Sequence, residues 1–321
     1  MSSSRVLVVG LGGTIAMTTA ATGGVTPGLS VRQLLDAVPG LAATGIEVEA
    51  LSLRNRPGAS LGFDDLAELM DVIEATTASG IVVVQGTDTI EETAYAVDLL
   101  HRAHPVVVTG AMRNATQAGA DGPANLLAAV TVAASPGARD LGCLVVFADE
   151  IHAARRVRKA HSTSPAAFVS PNGGPLGYVV EGQAHVLNRL TRRPALPRPT
   201  GTPSVVVHPA TLGDDGTMLE VLTKRVDGLV IAGFGAGHVP EKWVPALTEA
   251  AARIPVVLAS RTGAGPVLRE TYGFAGSERD LLERGLISAG FLDPYKARIL
   301  LHLCLAAGFD RAQIEAAFTG E

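Results

Sequence analysis

The chain has 321 residues, of which 47% are hydrophobic and 18% are charged, and its formal net charge is -5. This length and hydrophobic content predict a globular protein with one large or two ordinary domains. The negative charge excludes a general attraction to nucleic acid or to an anionic membrane, and no apolar run approaches the roughly 20 residues that span a bilayer.

The two cysteines lie far apart in the sequence, each in an apolar context. Cys143 and Cys304 therefore predict buried free thiols, and neither a disulfide framework nor a metal site. The N-terminal residues pass directly into the first predicted strand, with no apolar core followed by a small-residue cleavage site. A cytoplasmic location is the resulting expectation.

Short β-branched runs alternate with helical segments along the whole chain. The predicted strands are 5–9, 81–84, 105–109, 143–147, 204–208, 228–231 and 255–259. The predicted helices are 31–38, 63–76, 92–103, 122–134, 244–251 and 296–306. This alternation is typical of parallel sheets whose two faces are covered by helices, so the sequence predicts the α/β class.

A proline-rich stretch divides the chain. Residues 191–203 contain four prolines and no apolar periodicity, which is typical of a semi-extended linker. We therefore expect a larger N-terminal domain at 1–190 with a mostly parallel sheet, and a smaller C-terminal α/β domain at 204–321.

A glycine-rich turn follows the first predicted strand. The segment GLGGT at 10–14 allows positive φ and a close approach of the backbone to a small ligand. Thr14 is then a candidate nucleophile at a strand end. A dinucleotide site is a poor alternative, because Ile15 stands where that fingerprint needs Gly or Ala and no acidic residue ends a second strand about 20 residues further on.

A second strand ends in the same way. The apolar run at 81–84 leads into GTDT at 86–89 and then into a predicted helix. Ligands bind at the carboxyl ends of strands in open α/β sheets, so Thr87 and Asp88 are well placed for chemistry. Helix capping explains the same two residue types equally well, and their sequence alone leaves both explanations open.

Six segments together resemble bacterial-type L-asparaginases over essentially the whole chain. They are GGTIA at 12–16, QGTDTIEETA at 85–94, GAMR at 110–113 with DGPANL at 121–126, GPLGY at 174–178 and KAR at 296–298. The resemblance implies two α/β domains, hydrolysis of the side-chain amide of L-asparagine to L-aspartate and ammonia, no cofactor and no metal. It also implies a homodimer or homotetramer in which a neighbour's smaller domain completes each site.

The resemblance assigns catalytic roles to four residues. Thr14 attacks the amide carbonyl and forms an acyl-enzyme. Lys159 helps to deprotonate Thr87, Asp88 orients the lysine, and Thr87 activates the attacking species or water. A lysine can act as a base only where burial or neighbouring positive charge lowers its pKa, so a solvated surface lysine is the alternative interpretation.

Substrate-binding positions follow from the same resemblance: Gly13, Ala59, Ser60, Gly86, Asp88, Ala111 and His238. Asp88 meets the substrate α-ammonium. Ser60 is the polar contact expected for the substrate carboxylate, whereas Ala59 replaces a hydroxyl that the family often has there. A missing donor to a buried carboxylate costs roughly 1–3 kcal/mol, so this change favours weaker binding or another substrate. His238 either contacts substrate or caps a turn.

One further departure concerns the activation of Thr14. The family commonly has a tyrosine in a flexible loop after the nucleophile, but the aligned segment 22–27 contains none. The small residues of 18–29 predict a mobile loop that closes over the site. Thr26, or a tyrosine from elsewhere in the chain, is the candidate substitute, and a poorly active nucleophile is the alternative.

These departures leave two alternative functions. The same fold could act on L-glutamine, D-asparagine or a more specialised amide, or it could bind a ligand without catalysis. The presence of Thr14, Thr87, Asp88 and Lys159 in one chain argues against a non-catalytic role, because packing gives these polar residues no shared reason to occur together.

Overall fold

A computed structural model describes residues 4–19 and 25–319 of the chain. The chain divides into two compact units, Met1–Ala195 and Leu196–Glu321. The first has a mostly parallel sheet and the second a parallel sheet, which confirms the predicted α/β class. The division lies within the stretch 191–203; the boundaries of the linker itself stay a prediction.

The larger unit is built on a sheet of eight strands within the described residues, in the order β12-β11-β8-β7-β6-β5-β1-β4. Its strands in chain order are β1 (Arg5–Gly10), β2 (Met17–Thr19), β3 (Val25–Pro27), β4 (Glu47–Ser52), β5 (Gly80–Val84), β6 (Val106–Thr109), β7 (Cys143–Phe147), β8 (Glu150–Ala153), β9 (Arg158–Lys159), β10 (Phe168–Val169), β11 (Gly177–Val180) and β12 (Gln183–Val186). Neighbouring strands from β4 to β7 pair in parallel, and β8, β11 and β12 extend the sheet antiparallel. Two further antiparallel pairs, β2–β3 and β9–β10, lie outside this sheet.

Helices cover both faces of the parallel strands. They are α1 (Val31–Asp36), α2 (Phe63–Ala75), α3 (Ile90–Leu100) and α4 (Gly122–Ala134). Side chains alternate across a strand, so Val6 and Val8 of β1 join one buried cluster with α1 and α4, whereas Leu7 and Val9 join another with α2 and α3. The site-bearing loops therefore begin from strands that are packed on both sides.

Most predicted elements of this unit agree with the structure, and the differences have local causes. The prediction for α4 has the correct bounds, but α1 ends at Asp36 and α3 at Leu100, earlier than predicted. Pro39 lies three residues after Asp36 and disfavours helical backbone at Val38. The helix α3 ends because His101 has extended backbone, with φ of -118° and ψ of 144°. The sequence prediction missed β4 because this edge strand alternates charged and apolar residues and is mostly exposed.

The smaller unit has a four-stranded sheet, in the order β13-β14-β15-β16, within the described residues. Its strands are β13 (Val205–Pro209), β14 (Gly228–Gly233), β15 (Val256–Ser260) and β16 (Ile287–Ser288), all paired in parallel. Its helices are α5 (Thr217–Leu222), α6 (Val244–Ala251), α7 (Glu278–Glu283), α8 (Pro294–Ala306) and α9 (Arg311–Thr319). The prediction missed β16, α5 and α7, which have at most six residues and are too short to show clear periodicity. It also missed the nine-residue helix α9.

Both cysteines are free and buried, as predicted. Burial raises the pKa of the Cys304 thiol to about 12 and that of Cys143 well above its ordinary value. Thiols that stay protonated are poor nucleophiles and poor metal ligands. Among the described residues, no helix combines the length and the apolar character needed to cross a membrane.

Candidate active site

A lysine joins a threonine and an aspartate at the carboxyl end of β5. Lys159 Nζ donates hydrogen bonds to Thr87 Oγ1 at 2.9 Å and to Asp88 Oδ1 at 3.0 Å. Only 15% of the Lys159 side chain is exposed, whereas 58% of the Asp88 side chain is. Thr87 is buried. The set therefore combines a sheltered amino group and a sheltered hydroxyl with a carboxylate that faces solvent.

Two separate parts of the chain bring this set together. Thr87 and Asp88 lie in a 3-10 helix, Thr87–Thr89, which immediately precedes α3. Lys159 lies at the end of β9, where it pairs with Phe168 of β10. Phe168 is itself buried against Phe147 of β7, with ring centroids 4.7 Å apart. This short hairpin therefore anchors the backbone of Lys159 against the sheet.

Three glycines pack their backbones together beside this set. A methyl group on Gly13 would lie 2.1 Å from the amide nitrogen of Gly86, and one on Gly58 would lie 2.7 Å from the Gly86 carbonyl oxygen. Gly13 also has φ of +94°, which favours glycine. Because no side chain fits between these loops, the residues that follow the three glycines are held at one end of the sheet.

Thr14 directly follows this contact, in the 3-10 helix Thr14–Ala16. It is partly buried, and the next residue, Ile15, lies within the core of the larger unit. A methyl group on Gly122, at the start of α4, would lie 2.8 Å from Ile15 Cγ1. Thr14 therefore stands between a glycine contact on one side and a packed isoleucine on the other.

Ala59 and Ser60 follow Gly58 in a single 3-10 turn, and both are exposed. The Thr89 hydroxyl anchors this turn by donating to the Gly58 carbonyl oxygen at 3.0 Å, and Gln85 Nε2 donates to Thr89 Oγ1 at 3.2 Å. Gln85 and Thr89 are supporting residues that sequence reasoning missed, although both lie in the segment 85–94 that carries part of the family resemblance.

A second support, also missed from sequence, holds the loop after β6. The Asp121 carboxylate accepts hydrogen bonds from the backbone N–H groups of Met112 and Arg113, at 3.0 and 2.8 Å. Asn125 Nδ2 donates to the Gly110 carbonyl oxygen and to Asp121 Oδ2. The side chain of Ala111, a predicted substrate-binding residue, is buried. Only the backbone of Ala111 is therefore suited to contact a ligand.

His238 lies in the smaller unit. Its backbone closes a tight turn by exchanging hydrogen bonds with Phe234. Its ring nitrogen Nε2 lies 3.2 Å from Oε2 of the fully buried Glu278. The imidazole ring also makes edge-on contacts with the rings of Tyr272 and Phe274. The histidine therefore belongs to a turn and to a cluster of contacts with Glu278, Tyr272 and Phe274.

Glu278 is held in its ionised form. Burial alone raises the pKa of this carboxyl, but the backbone N–H groups of Tyr272 and Thr271 and the charge of His238 outweigh burial and lower it. A carboxylate that accepts two backbone hydrogen bonds is well suited to orient a histidine. Contact of His238 with a substrate stays a prediction.

The predicted closing loop at 18–29 lies partly outside the described residues, which omit 20–24. The Thr26 side chain, the predicted substitute for the loop tyrosine, is also outside what is described. The flanking strands β2 and β3 pair in antiparallel register, with Thr19 opposite Val25. The segment is thus framed by a hairpin that begins three residues after Thr14.

The arrangement contains what nucleophilic cleavage of an amide requires. Thr14 supplies one hydroxyl at the end of β1. Thr87 supplies a second one at the end of β5, already hydrogen-bonded to an amine that can exchange protons with it. No group of three or more His, Cys, Asp or Glu residues within the described chain forms a metal-binding cluster.

Comparison with known protein families gives matches across both units. Residues 5–192 match the model described as "Asparaginase, N-terminal", and residues 204–318 match "Glutaminase/Asparaginase C-terminal domain". Together these matches cover well over half of the chain.

Individual proteins give the same result over nearly the full length. The "Probable L-asparaginase" of Deinococcus radiodurans is 39% identical over 327 residues, covering 99% of this chain and 98% of its own. The "Probable L-asparaginase periplasmic" of Haemophilus influenzae is 33% identical and covers 90% of this chain and 84% of its own. The crystal structure of a "Probable Cytoplasmic L-asparaginase" from Campylobacter jejuni has a TM-score of 0.87 at 32% identity and covers 99% of both chains.

Proposed function

The chain belongs to the asparaginase family of enzymes, which hydrolyse asparagine, and from this premise we propose that Thr14 is the nucleophile and that Thr87, Asp88 and Lys159 serve the second half of the reaction. The overall reaction consumes L-asparagine and one water and releases L-aspartate and ammonia. The observation that carries the proposal is the pair of hydrogen bonds from Lys159 Nζ to Thr87 and Asp88.

In the first half of the reaction, Thr14 Oγ1 attacks the side-chain amide carbon and gives up its proton. The tetrahedral intermediate collapses when the carbon–nitrogen bond breaks, and the departing nitrogen takes a proton and leaves as ammonia. The product is an ester between Thr14 and the aspartyl side chain. The packed Gly13–Gly86 contact supports this role, because it leaves the threonine little freedom to move away from the second loop.

In the second half, a water molecule attacks the ester carbon. Thr87 takes a proton from this water while its own hydroxyl proton passes to Lys159 as a free amine, and Asp88 keeps the lysine in place. The ester carbon–oxygen bond then breaks, and the proton that Lys159 accepted is returned to the oxygen of Thr14, so that all four residues regain their starting state. The hydrogen bond of 2.9 Å between Lys159 Nζ and Thr87 Oγ1 supports this role, because it joins the two atoms between which the proton passes.

The substrate is proposed to lie along the same edge of the sheet. Asp88, which is exposed, suits the α-ammonium, and Ser60 suits the α-carboxylate. The backbones of Gly13, Gly86 and Ala111 complete the contacts. Ala59 has no hydroxyl, and this observation favours the second candidate function, hydrolysis of a different amide such as L-glutamine or D-asparagine.

We also propose a cytoplasmic homo-oligomer. The cytoplasmic protein named above covers this chain almost completely, whereas the periplasmic relative covers less of it. Tyr272, Phe274, Phe291 and Tyr295 leave apolar surface exposed on the smaller unit, which is typical of surfaces that bind another chain. Light scattering at assay concentration tests this: a monomer mass contradicts the oligomer.

Ammonia release tests the proposed activity. The purified protein is offered L-asparagine, L-glutamine and D-asparagine, with Thr14→Ala and Thr87→Ala in parallel and Thr163→Ala as an exposed-threonine control. We expect continuous turnover of L-asparagine that both site variants lose and the control keeps. Preference for another amide would support the second candidate, and full activity of Thr14→Ala would overturn the assignment of the nucleophile.

A further inference from the structure

A cavity lies in the larger unit, at the end of the sheet opposite to the two proposed catalytic threonines. Its volume is about 230 Å³. Ser79, Pro105 and Gly142 line it, and these residues immediately precede β5, β6 and β7. Thr14 and Thr87 follow the carboxyl ends of β1 and β5, so the two sites are separated by the length of the strands.

The lining of this cavity is strongly basic. Arg102, Arg139, Arg192 and His104 line it, with Asp140 as the one acidic residue among its described lining residues. Arginine is the side chain best suited to hold carboxylate and phosphate groups, because its planar donors match their oxygens. The excess of positive charge in a small concave space favours an anionic occupant.

Arg192 has an unsatisfied donor. Its Nη1 donates to Asp140 Oδ1 at 2.8 Å and its Nη2 to the Arg102 carbonyl oxygen at 3.1 Å. Its Nε is buried and has no hydrogen-bond partner among the described residues. A buried charged donor without a partner is costly, so the guanidinium gains from an additional acceptor.

Arg102 is held rigidly by the main chain. Its Nε donates to the Arg193 carbonyl oxygen at 2.8 Å and its Nη1 to the His101 carbonyl oxygen at 2.7 Å. Burial lowers the pKa of Arg102, and Arg192 lowers it further although Asp98 opposes the change. Burial also raises the pKa of Asp98, which accepts the backbone N–H of Cys143. Arg102 and Arg192 both line the cavity and repel each other electrostatically, so an anion bound beside them relieves that repulsion.

Arg139 completes the basic wall. It is exposed, and its guanidinium has no hydrogen bond or ion pair with the residues that the structure describes. It follows the 3-10 turn Pro136–Ala138, to which only its backbone contributes. Its side chain is thus available to an incoming ligand without any rearrangement of the fold.

We propose that this cavity binds a small oxyanion that carries a carboxylate or a phosphate group. Its volume lies below the roughly 300–1,000 Å³ of pockets that hold drug-sized ligands, so a nucleotide is too large. Inorganic phosphate and a short carboxylate such as acetate share the required chemistry. The site is independent of amide hydrolysis, because none of its lining residues belongs to the catalytic set.

Isothermal titration calorimetry of the full chain with inorganic phosphate, acetate and chloride tests the proposal. We expect saturable binding of phosphate, acetate or both, and none of chloride at matched ionic strength. Arg139→Gln should weaken binding about tenfold, the effect of losing one charge-assisted hydrogen bond, and Arg139→Lys should restore part of it. Arg32→Gln, an exposed arginine on α1, is the matched control and should bind as the unmodified chain does.

Asp140→Asn provides a test of opposite sign. Removal of this carboxylate takes away a like charge and releases Arg192 Nη1, so binding should become tighter. Asp140 has φ of +63°, a conformation that asparagine tolerates, and the variant should therefore fold. No saturable binding of either oxyanion would overturn the proposal. Equal affinity in Arg139→Gln, Asp140→Asn and the control would also overturn it, because the binding would then occur elsewhere.

Discussion

The loops after β1 and β5 each present a threonine at the same edge of one sheet, but their surroundings differ. Thr87 is buried and accepts a hydrogen bond from Lys159. The Thr14 hydroxyl has no hydrogen-bond partner among the residues whose side chains the structure describes. The β5 loop thus already holds the amine proposed to accept a proton from its threonine. The difference suggests that the two hydroxyls are activated separately.

The largest effect is expected at Thr14. Thr14→Val removes the proposed nucleophile at nearly constant volume, so kcat for asparagine hydrolysis should fall at least about 10⁴-fold. Thr14→Ser keeps the hydroxyl and should retain a rate far above that of the valine variant. Steady-state kinetics of the two variants measures the difference, and equal rates would remove Thr14 from the chemistry.

The next effect concerns Lys159. Lys159→Gln can still donate a hydrogen bond but cannot accept a proton from Thr87, so kcat should fall roughly 10²–10⁴-fold with a smaller change in KM. Lys224→Gln, an exposed lysine in the smaller unit, is the matched control. If Lys159→Gln kept the full kcat, the β5 loop would be a structural support and the contrast between the loops would disappear.

The glycine contact between the loops should be visible in stability. Gly13→Ala combines an unfavourable φ with a clash against Gly86, so urea denaturation should show a loss of about 3–4 kcal/mol. Gly45 has φ of +69° but no atom within 4 Å of an added methyl group. Gly45→Ala should therefore lose only about 1 kcal/mol, the backbone cost alone. Equal losses would show that the loops do not depend on this contact.

The pH dependence of stability should reveal the contribution of His152, a buried histidine that contacts the segment directly after β10, the strand paired with that of Lys159. His152 of β8 is fully buried and lies 3.0 Å from the hydroxyl of Ser170, which directly follows β10. Burial lowers the pKa of His152 from 6.5 to about 4. Between these pH values, His152 is protonated in the unfolded chain but not in the folded chain. The free energy of unfolding therefore falls as pH decreases through this window.

The contribution of His152 to this loss should reach up to about 3 kcal/mol at full protonation. Denaturant unfolding of the parent chain and of His152→Gln at several values between about pH 7 and about pH 4 measures this loss of stability, because that range covers most of the pKa change of His152. The variant should show a shallower dependence on pH. His302, in the smaller unit, also has its pKa lowered by burial to about 4, and should keep part of the slope. An unchanged slope in His152→Gln would contradict this explanation.

The smallest effect is expected at Thr89. Thr89→Val removes its hydrogen bonds to Gly58 and Gln85, so the turn that carries Ser60 should loosen. A loss of about 1 kcal/mol in stability and a rise of KM of a few-fold are the expected results, because a neutral hydrogen bond has a modest net contribution. A change confined to kcat would instead point to a direct role in the chemistry.

Sequence patterns predicted those parts of the fold and the site that local residues determine. The strand ends at Thr14 and Thr87 follow from apolar runs that stop at glycine, and α4 follows from its uninterrupted apolar segment. Lys159 was located only through the family resemblance, because its contact with Asp88 depends on the two-residue strand β9 and on its packing. No periodicity marks such a short element.

The supports of the site were harder to predict for the same reason. Gly58 and Gly86 meet across separate loops, and Asp121 turns its carboxylate back to Met112 and Arg113. Each of these contacts joins residues whose approach is set by the packed sheet and not by their own sequence. The strand order, in which β1 and β5 are neighbours, brings the Thr14 and Thr87 loops together.

The most direct test of separate roles for the two threonines uses Thr87→Ala. If Thr14 forms the ester and Thr87 activates water, this variant should release one ammonia per site in a rapid burst and then stall. Acid quenching during the stall, followed by peptide mass spectrometry, should place one aspartyl group on Thr14. A variant that gives neither a burst nor an adduct, or an adduct on another residue, would contradict the account.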